Sequence, residues 1–176
     1  MILHQRNPSL AGLADAIADE TTKLNTLLSK QHIDAPSLQP GHNTTLWSIH
    51  HGEAEDIRNK IYGLTTQLNK LLRGPSGYLH ELISSNWELG ALYTVLEHGI
   101  LEDIPQNGTA HVSSLARNAN LPENKLLSIL RLLACEQIVE EAEDKNFRHT
   151  AISEEMLRDP NLRAFLGFQW VICSRR

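Results

Sequence analysis

The stretch from Asn120 to Ser153, NLPENKLLSILRLLACEQIVEEAEDKNFRHTAIS, limits the possible folds more than any other part of the chain. A helix-forming run of Leu and Ile is followed by two short extended pieces around a charged turn, and then by a new helix start. Leu121-Pro122-Glu123 opens the first helix with proline in its first turn, where the missing N–H costs nothing. Leu126, Leu127, Ile129, Leu130, Leu132 and Leu133 make that helix apolar around much of its circumference. Ile138-Val139 and Asn146-Phe147-Arg148-His149 flank the turn Glu143-Asp144-Lys145, and Thr150 or Ser153 caps a helix toward Arg158. This order is that of a winged helix-turn-helix.

Upstream, apolar residues from Leu10 to Leu28 keep helical spacing after the start signal Pro8-Ser9. Residues 36 to 52 are irregular, with Trp47 as the large anchor. Ile57, Ile61, Leu64, Leu68 and Leu71 then alternate steps of four and three, the spacing of a helix–helix seam. Gly74-Pro75 stops that helix. Residues 78 to 104 predict two helices split near Ser84-Ser85-Asn86, where Ser85 or Asn86 is placed to cap the second, whose stripe Leu89, Leu92, Val95, Leu96 ends at Gly99. Ser113 or Ser114 is placed to cap a short helix reaching Asn118. The fold class is mainly α: long N-terminal helices followed by a winged helix-turn-helix with a two- or three-stranded wing. Two regions follow, a helical dimerisation extension over 1–76 and the winged-helix domain over 77–176.

The apolar positions Leu10, Leu13, Ile17, Leu24, Ile57, Ile61, Leu64, Leu68 and Leu71 form the expected dimer seam, because two long helices with narrow stripes find little local core to bury them. The competing reading is an intramolecular core face.

The chain has 176 residues and a formal net charge of −5, so no global positive field attracts nucleic acid or an anionic membrane. A DNA-reading winged helix needs basic or amide side chains on its second helix and cations on its wing. From Gly108 to Thr150 there are Arg117, Lys125, Arg131, Lys145 and Arg148 against Glu123, Glu136, Glu140, Glu141, Glu143 and Asp144. The wing is the most acidic part, and its carboxylates repel phosphates over a Debye length of about 10 Å. A DNA-binding transcription regulator is therefore the second reading. The N-terminus lacks the apolar stretch of a secretory signal, and no apolar run approaches the roughly 20 residues of a membrane span, which predicts a cytoplasmic chain. Cys135 and Cys173 are expected as buried, inert thiols rather than disulfide or zinc partners. His50-His51 lacks a carboxylate or Cys partner at helical spacing, and no metal site is expected. His149 is expected to anchor the wing by hydrogen bonding.

Taken in order, a helix ending in LLRGP (Gly74-Pro75), Leu115-Ala116, Ser128-Ile129-Leu130-Arg131 and His149-Thr150-Ala151-Ile152-Ser153 resemble the N-terminal region of fungal S-adenosylmethionine-dependent O-methyltransferases of the plant caffeic-acid type. The similarity runs over essentially the whole chain. It implies a dimerisation and substrate-capping domain of secondary metabolism rather than a DNA reader. Some members of that family guide pericyclic reactions instead of methylating. The family continues with a Rossmann-like domain whose glycine-rich loop holds S-adenosylmethionine. The ten glycines here, at 12, 41, 52, 63, 74, 77, 90, 99, 108 and 167, include no Gly-x-Gly pair. The resemblance therefore implies a chain truncated before the catalytic domain, or the N-terminal piece of a longer enzyme, with no catalytic, cofactor-binding or metal residue of its own. Its expected partner is a second copy or a full-length relative, with an aromatic or polyketide-type small molecule as candidate substrate. In the family, the helix matching residues 161–173 links the two domains and lines the acceptor pocket, so Phe165, Phe168, Gln169 and Trp170 are the pocket or interface candidates.

Overall fold

The computed structural model describes residues 9–42, 46, 49, 50, 52–162, 164 and 165. In chain order these form α1 (Leu10–Lys30), α2 (Glu53–Glu97), β1 (Ala110–His111), α3 (Val112–Asn118), α4 (Glu123–Cys135), β2 (Val139–Glu143), β3 (Asn146–His149) and α5 (Ala151–Arg158). The architecture is mainly helical with one small antiparallel sheet, as the sequence predicts. Two compact units are distinguished, residues 1–36 with 44–83 and residues 37–43 with 84–176.

In the first unit, the Ser9 hydroxyl caps α1 by accepting the Gly12 N–H at 3.0 Å. Leu24 and Leu28 of α1 pack with Leu46, Ala54 and Ile57, with Ile33, Ile49 and Ile61 around them. Among the described residues of the irregular connection Leu46 is the buried side chain, while the expected anchor Trp47 lies outside the described residues. Glu20 is buried on α1, where its carboxylate meets Lys23 at 2.8 Å and Lys60 of α2 at 2.6 Å. Hydrogen bonds from Lys23 and then Lys60 hold that carboxyl below the usual range, so the polar group enters the apolar surface as an anion with its partners attached.

Helix α2 is interrupted once, at Gly74, whose φ of 68° and ψ of 175° lie outside the helical region. That conformation is essentially glycine's alone, and Pro75 disfavours a helical residue before it. Gly74 therefore forms a fixed elbow, spanned by the Arg73–Glu81 ion pair at 3.2 Å and by Lys70 standing 5.0 Å over the Tyr78 ring. The expected second break at Ser84-Ser85-Asn86 does not occur, and the helix runs through these residues. Serine and asparagine in a helix interior cost only a fraction of a kcal/mol against alanine, too little to stop a helix whose next turns carry the buried residues Ala91, Leu92, Val95 and Leu96.

The second unit surrounds Val95, Ile100, Leu101, Val112, Leu115, Leu126, Leu130, Leu133 and Phe147, all at 0–1% exposure. Its sheet has the order β1-β3-β2, with Ala110 opposite Phe147, Val139 opposite His149 and Glu140 opposite Arg148. The third strand, β1, covers the β3 edge that the β2–β3 hairpin alone would leave open. Residues 37–43 are tied to this unit by the Ala151 N–H donating to Leu38 O at 3.0 Å and the Gly41 N–H donating to the Glu154 carboxylate at 2.7 Å.

Four helix ends close in the same way. After α1, α2, α3 and α4 stand His32, Gly99, Asn120 and Gln137, each with φ between 52° and 64°. The residue after each one, Ile33, Ile100, Leu121 and Ile138, sends its N–H back five residues at 2.9–3.0 Å. This is the Schellman arrangement, in which an apolar side chain past the stop packs back onto the body. Only Gly99 carries the glycine that advertises such a stop. Left-handed backbone costs an ordinary L-residue about 1 kcal/mol, so Gln137→Gly is expected to raise the unfolding free energy by roughly that amount, read as a higher urea midpoint at unchanged slope.

Candidate functional site: the wing and the second helix of the turn

Helix α4 occupies the position that a DNA-binding module would present to a groove. Leu126, Leu130 and Leu133 are buried on one side, leaving Glu123, Asn124, Lys125, Ser128, Arg131 and Cys135 exposed. Its N-cap is Pro122, one residue before the expected first turn. Helix α3 is capped by His111 and not by serine: the His111 Nδ1 accepts the Ser113 N–H at 3.2 Å, while the Ser114 hydroxyl donates to His111 O at 2.7 Å. The imidazole sits at the end of β1, ahead of the two serines, where the backbone is still extended.

Two of the module's three arginines, Arg131 and Arg148, are turned onto its own wing. Arg131 forks onto Glu141, with Nε at 2.9 Å from one carboxylate oxygen and an Nη at 2.8 Å from the other, and the same Nη lies 3.3 Å from Asp144. Arg148 grips Glu140 in the same bidentate manner at 2.9 and 2.6 Å. Such forks match a planar guanidinium to a planar carboxylate and are the strong form of the charge-assisted hydrogen bond. The hydrogen bond from Arg131, joined by the Lys145 N–H, holds the Glu141 carboxyl below its usual range. Two of the five cations between Gly108 and Thr150 thus face carboxylates where a DNA reader would direct them at phosphates.

His149 is 1% exposed. Its Nε2 lies 3.1 Å from the Ile104 carbonyl, which requires that nitrogen to donate, and its Nδ1 lies 3.0 Å from the Ser153 hydroxyl. Ser153 Oγ also accepts the Thr150 N–H at 3.0 Å, completing a capping box on α5. The imidazole pins β3, α5 and the turn after α2 together, an anchoring role.

A cavity of about 640 Å³ opens beside the C-terminal end of α4, lined in part by Leu38, Ala134, Cys135, Gln137, Val139 and Thr150. Cys135 is exposed there, not buried as expected, because it falls at the last turn of α4, away from the Leu126–Leu130–Leu133 stripe. Cys173 and His51 lie outside the described residues. Among the described residues, no group of three His, Cys, Asp or Glu is arranged to hold a metal.

The seam residues separate into groups by burial. Leu13, Leu24 and Ile57 are buried, Ile17, Ile61, Leu64 and Leu68 are half-buried, and Leu10 and Leu71 are exposed. Part of the stripe is therefore covered within the chain, by the cluster around Leu46. Sequence reasoning missed the more exposed apolar run that follows, Leu72, Tyr78, Leu79, Leu82 and Ile83. The signal was present in the three- and four-residue spacing of Tyr78, Leu79, Leu82 and Ile83, but the supposed break at Ser84 disguised it. Of the pocket candidates, Phe165 is exposed beyond α5, and Phe168, Gln169 and Trp170 lie outside the described residues.

No protein-family profile matches the chain. Individual relatives do. The O-methyltransferase phnC of Penicillium herquei is 44% identical over 163 residues, covering 92% of this chain and 38% of that protein. The O-methyltransferase sol2 of Alternaria solani is 31% identical, covering 88% of this chain and 36% of its own length. The monodictyphenone cluster transcriptional coactivator mdpA of Emericella nidulans is 26% identical, covering 87% and 32%. Among solved structures, OxaC in complex with SAH and oxaline superposes with a TM-score of 0.57 at 15% identity over 82% of this chain and 33% of that one. The chain thus spans about a third of the length of each of these relatives. Most of its sequence and its winged-helix fold together place the chain in the family of fungal O-methyltransferases, of which it represents the N-terminal region.

Proposed function

We propose that the chain serves a fungal small-molecule O-methyltransferase system as its pairing and substrate-covering part, with a second copy or a full-length relative as partner, in the cytoplasm. In such a system the reaction is methyl transfer from S-adenosylmethionine to a hydroxyl of an aromatic or polyketide-type acceptor. The observation that carries this reading is the pair of bidentate clasps, Arg131 on Glu141 and Arg148 on Glu140, which take two of the module's three arginines away from phosphate recognition. S-adenosylmethionine itself does not fit the residues present: the described sheet is antiparallel, with no strand–helix–strand crossover, and the sequence has no Gly-x-Gly turn to let a backbone approach the cofactor. No chemical step is therefore assigned to this chain's side chains. Among the described residues no helix is long and apolar enough to cross a membrane.

The coactivator mdpA supports a second reading, in which the winged helix takes part in transcription. Equilibrium binding to a fluorescently labelled random duplex at low salt separates the two. The first reading expects no saturable binding. Binding whose logarithm falls steeply and linearly with the logarithm of salt concentration is the outcome of the second. Calorimetry of the chain with S-adenosylhomocysteine is expected to give no saturable heat, and a measurable affinity would overturn the assignment of cofactor binding to another part of the system.

A further inference from the structure

We infer that the open edge of β2, beside the C-terminal end of α4, takes up an extended peptide of a partner protein as an added strand, a peptide with a large apolar side chain flanked by lysine or arginine. This goes beyond the reading of the chain as a pairing and covering part and concerns a separate face. The sheet order β1-β3-β2 leaves β2 paired on one side only among the described residues. The cavity of about 640 Å³ runs along the unpaired side. Val139, Glu140 and Glu141 all line it, yet successive strand side chains point to opposite faces of a sheet, so a space that all three reach lies at the edge of the strand. Ala134 and Cys135 of α4 form one wall and Leu38 another, the latter held by the Ala151 N–H donating to its carbonyl at 3.0 Å. An open main-chain edge beside an apolar seat is what strand addition uses: backbone hydrogen bonds give the affinity and the seat selects a side chain. The register shift between Glu141 and Glu143 ends the regular edge, so the added strand pairs along Val139 to Glu141.

Charge selects the occupant. Residues 131–148 carry Glu136, Glu140, Glu141, Glu143 and Asp144 against Arg131, Lys145 and Arg148. Arg131 and Arg148 are committed to Glu141 and Glu140. Glu136 and Glu143 are exposed and enter no ion pair among the described residues. These two carboxylates stand at opposite ends of the edge, one just before β2 and one at its last residue. A second copy of the chain brings the same acidic edge, and like charges oppose edge-to-edge pairing. A cationic segment meets no such opposition. One cation at each end answers Glu136 and Glu143, while the apolar residue between them enters the cavity against Ala134, Cys135 and Val139.

The test is fluorescence anisotropy of the full chain with the peptide Arg-Thr-Leu-Thr-Arg, labelled with fluorescein at its N-terminus and amidated at its C-terminus. Saturable binding that weakens as salt is added is expected. Glu136→Gln with Glu143→Gln weakens it roughly tenfold, since two exposed ion pairs are lost. Cys135→Trp, which fills the cavity from an exposed position, abolishes binding with helical circular dichroism unchanged. Methylating the central amide nitrogens of the peptide also abolishes it, because the added strand then has no N–H to donate. The place of binding is read separately at the Cys135 thiol: in a Cys173→Ser background, bound peptide slows its alkylation by iodoacetamide. Absence of saturable binding up to about 1 mM peptide overturns the proposal. So does equal binding of Glu-Thr-Leu-Thr-Glu or of the methylated peptide. Protection of Cys135 by 1-naphthol but not by the peptide overturns it as well, and assigns the cavity to small aromatic molecules.

Discussion

Replacing Phe147, the largest fully buried side chain among the described residues, by alanine is expected to cost about 3–5 kcal/mol. Phe147 is fully buried in the middle of the central strand β3, between Ala110 of β1 and Glu141 of β2. Both neighbouring strands pair with β3 and neither pairs with the other, so the cavity cannot close by drawing the sheet together. The ring also packs in the cluster that includes Leu126, Leu130 and Leu133 of α4, which couples the wing to the helix-turn-helix. Urea unfolding followed by circular dichroism should show a lower midpoint, and a variant within about 1 kcal/mol of the unaltered chain would mean that the core repacks around the gap.

Substituting His149 by leucine is expected to cost about 1–3 kcal/mol although the new side chain is apolar and of similar bulk. The imidazole at this site has a polar duty: its Nε2 donates to the Ile104 carbonyl and its Nδ1 faces the Ser153 hydroxyl. Leucine fills the space and leaves that carbonyl without its donor in a site closed to water, where the desolvation of the group is not repaid. Thermal or urea unfolding measures the loss. Stability equal to that of the unaltered chain would show that the pin between the turn after α2 and α5 is dispensable.

The winged helix was legible because its elements announce themselves locally. The Leu126–Leu130–Leu133 stripe has the period of a helix with one buried side, and the charged turn between Val139 and His149 has the composition of a hairpin. His149 was legible for a related reason, since a histidine between a strand and a helix start has several backbone groups within reach. What was not legible depends on contacts distant in sequence. No composition rule marks Leu46 as the buried residue of an irregular segment, because its burial is decided by Leu24, Leu28 and Ile57 on two separate helices. The exposure of Cys135 turns on which side of α4 faces the core at its final turn. The pairing of Arg131 with Glu141 joins residues ten apart across a helix end and a strand, so counting charges predicted their balance but not their mutual capture. At Ser84-Ser85-Asn86, residues that favour caps in isolation are carried in the helix at small cost, because the burial of Ala91, Leu92, Val95 and Leu96 holds the turns that follow.

The repeated left-handed stop after α1, α2, α3 and α4 bears on how this chain can change without losing its shape. Where a helix finishes is settled by an aliphatic anchor, Ile33, Ile100, Leu121 or Ile138, docking onto its own body, and the neighbouring turn residue merely complies. That leaves the turn position open to histidine, asparagine or glutamine at small cost. Drift is therefore tolerated at the visible punctuation marks and resisted one residue later, at the unobtrusive aliphatic groups that keep each helix from running on.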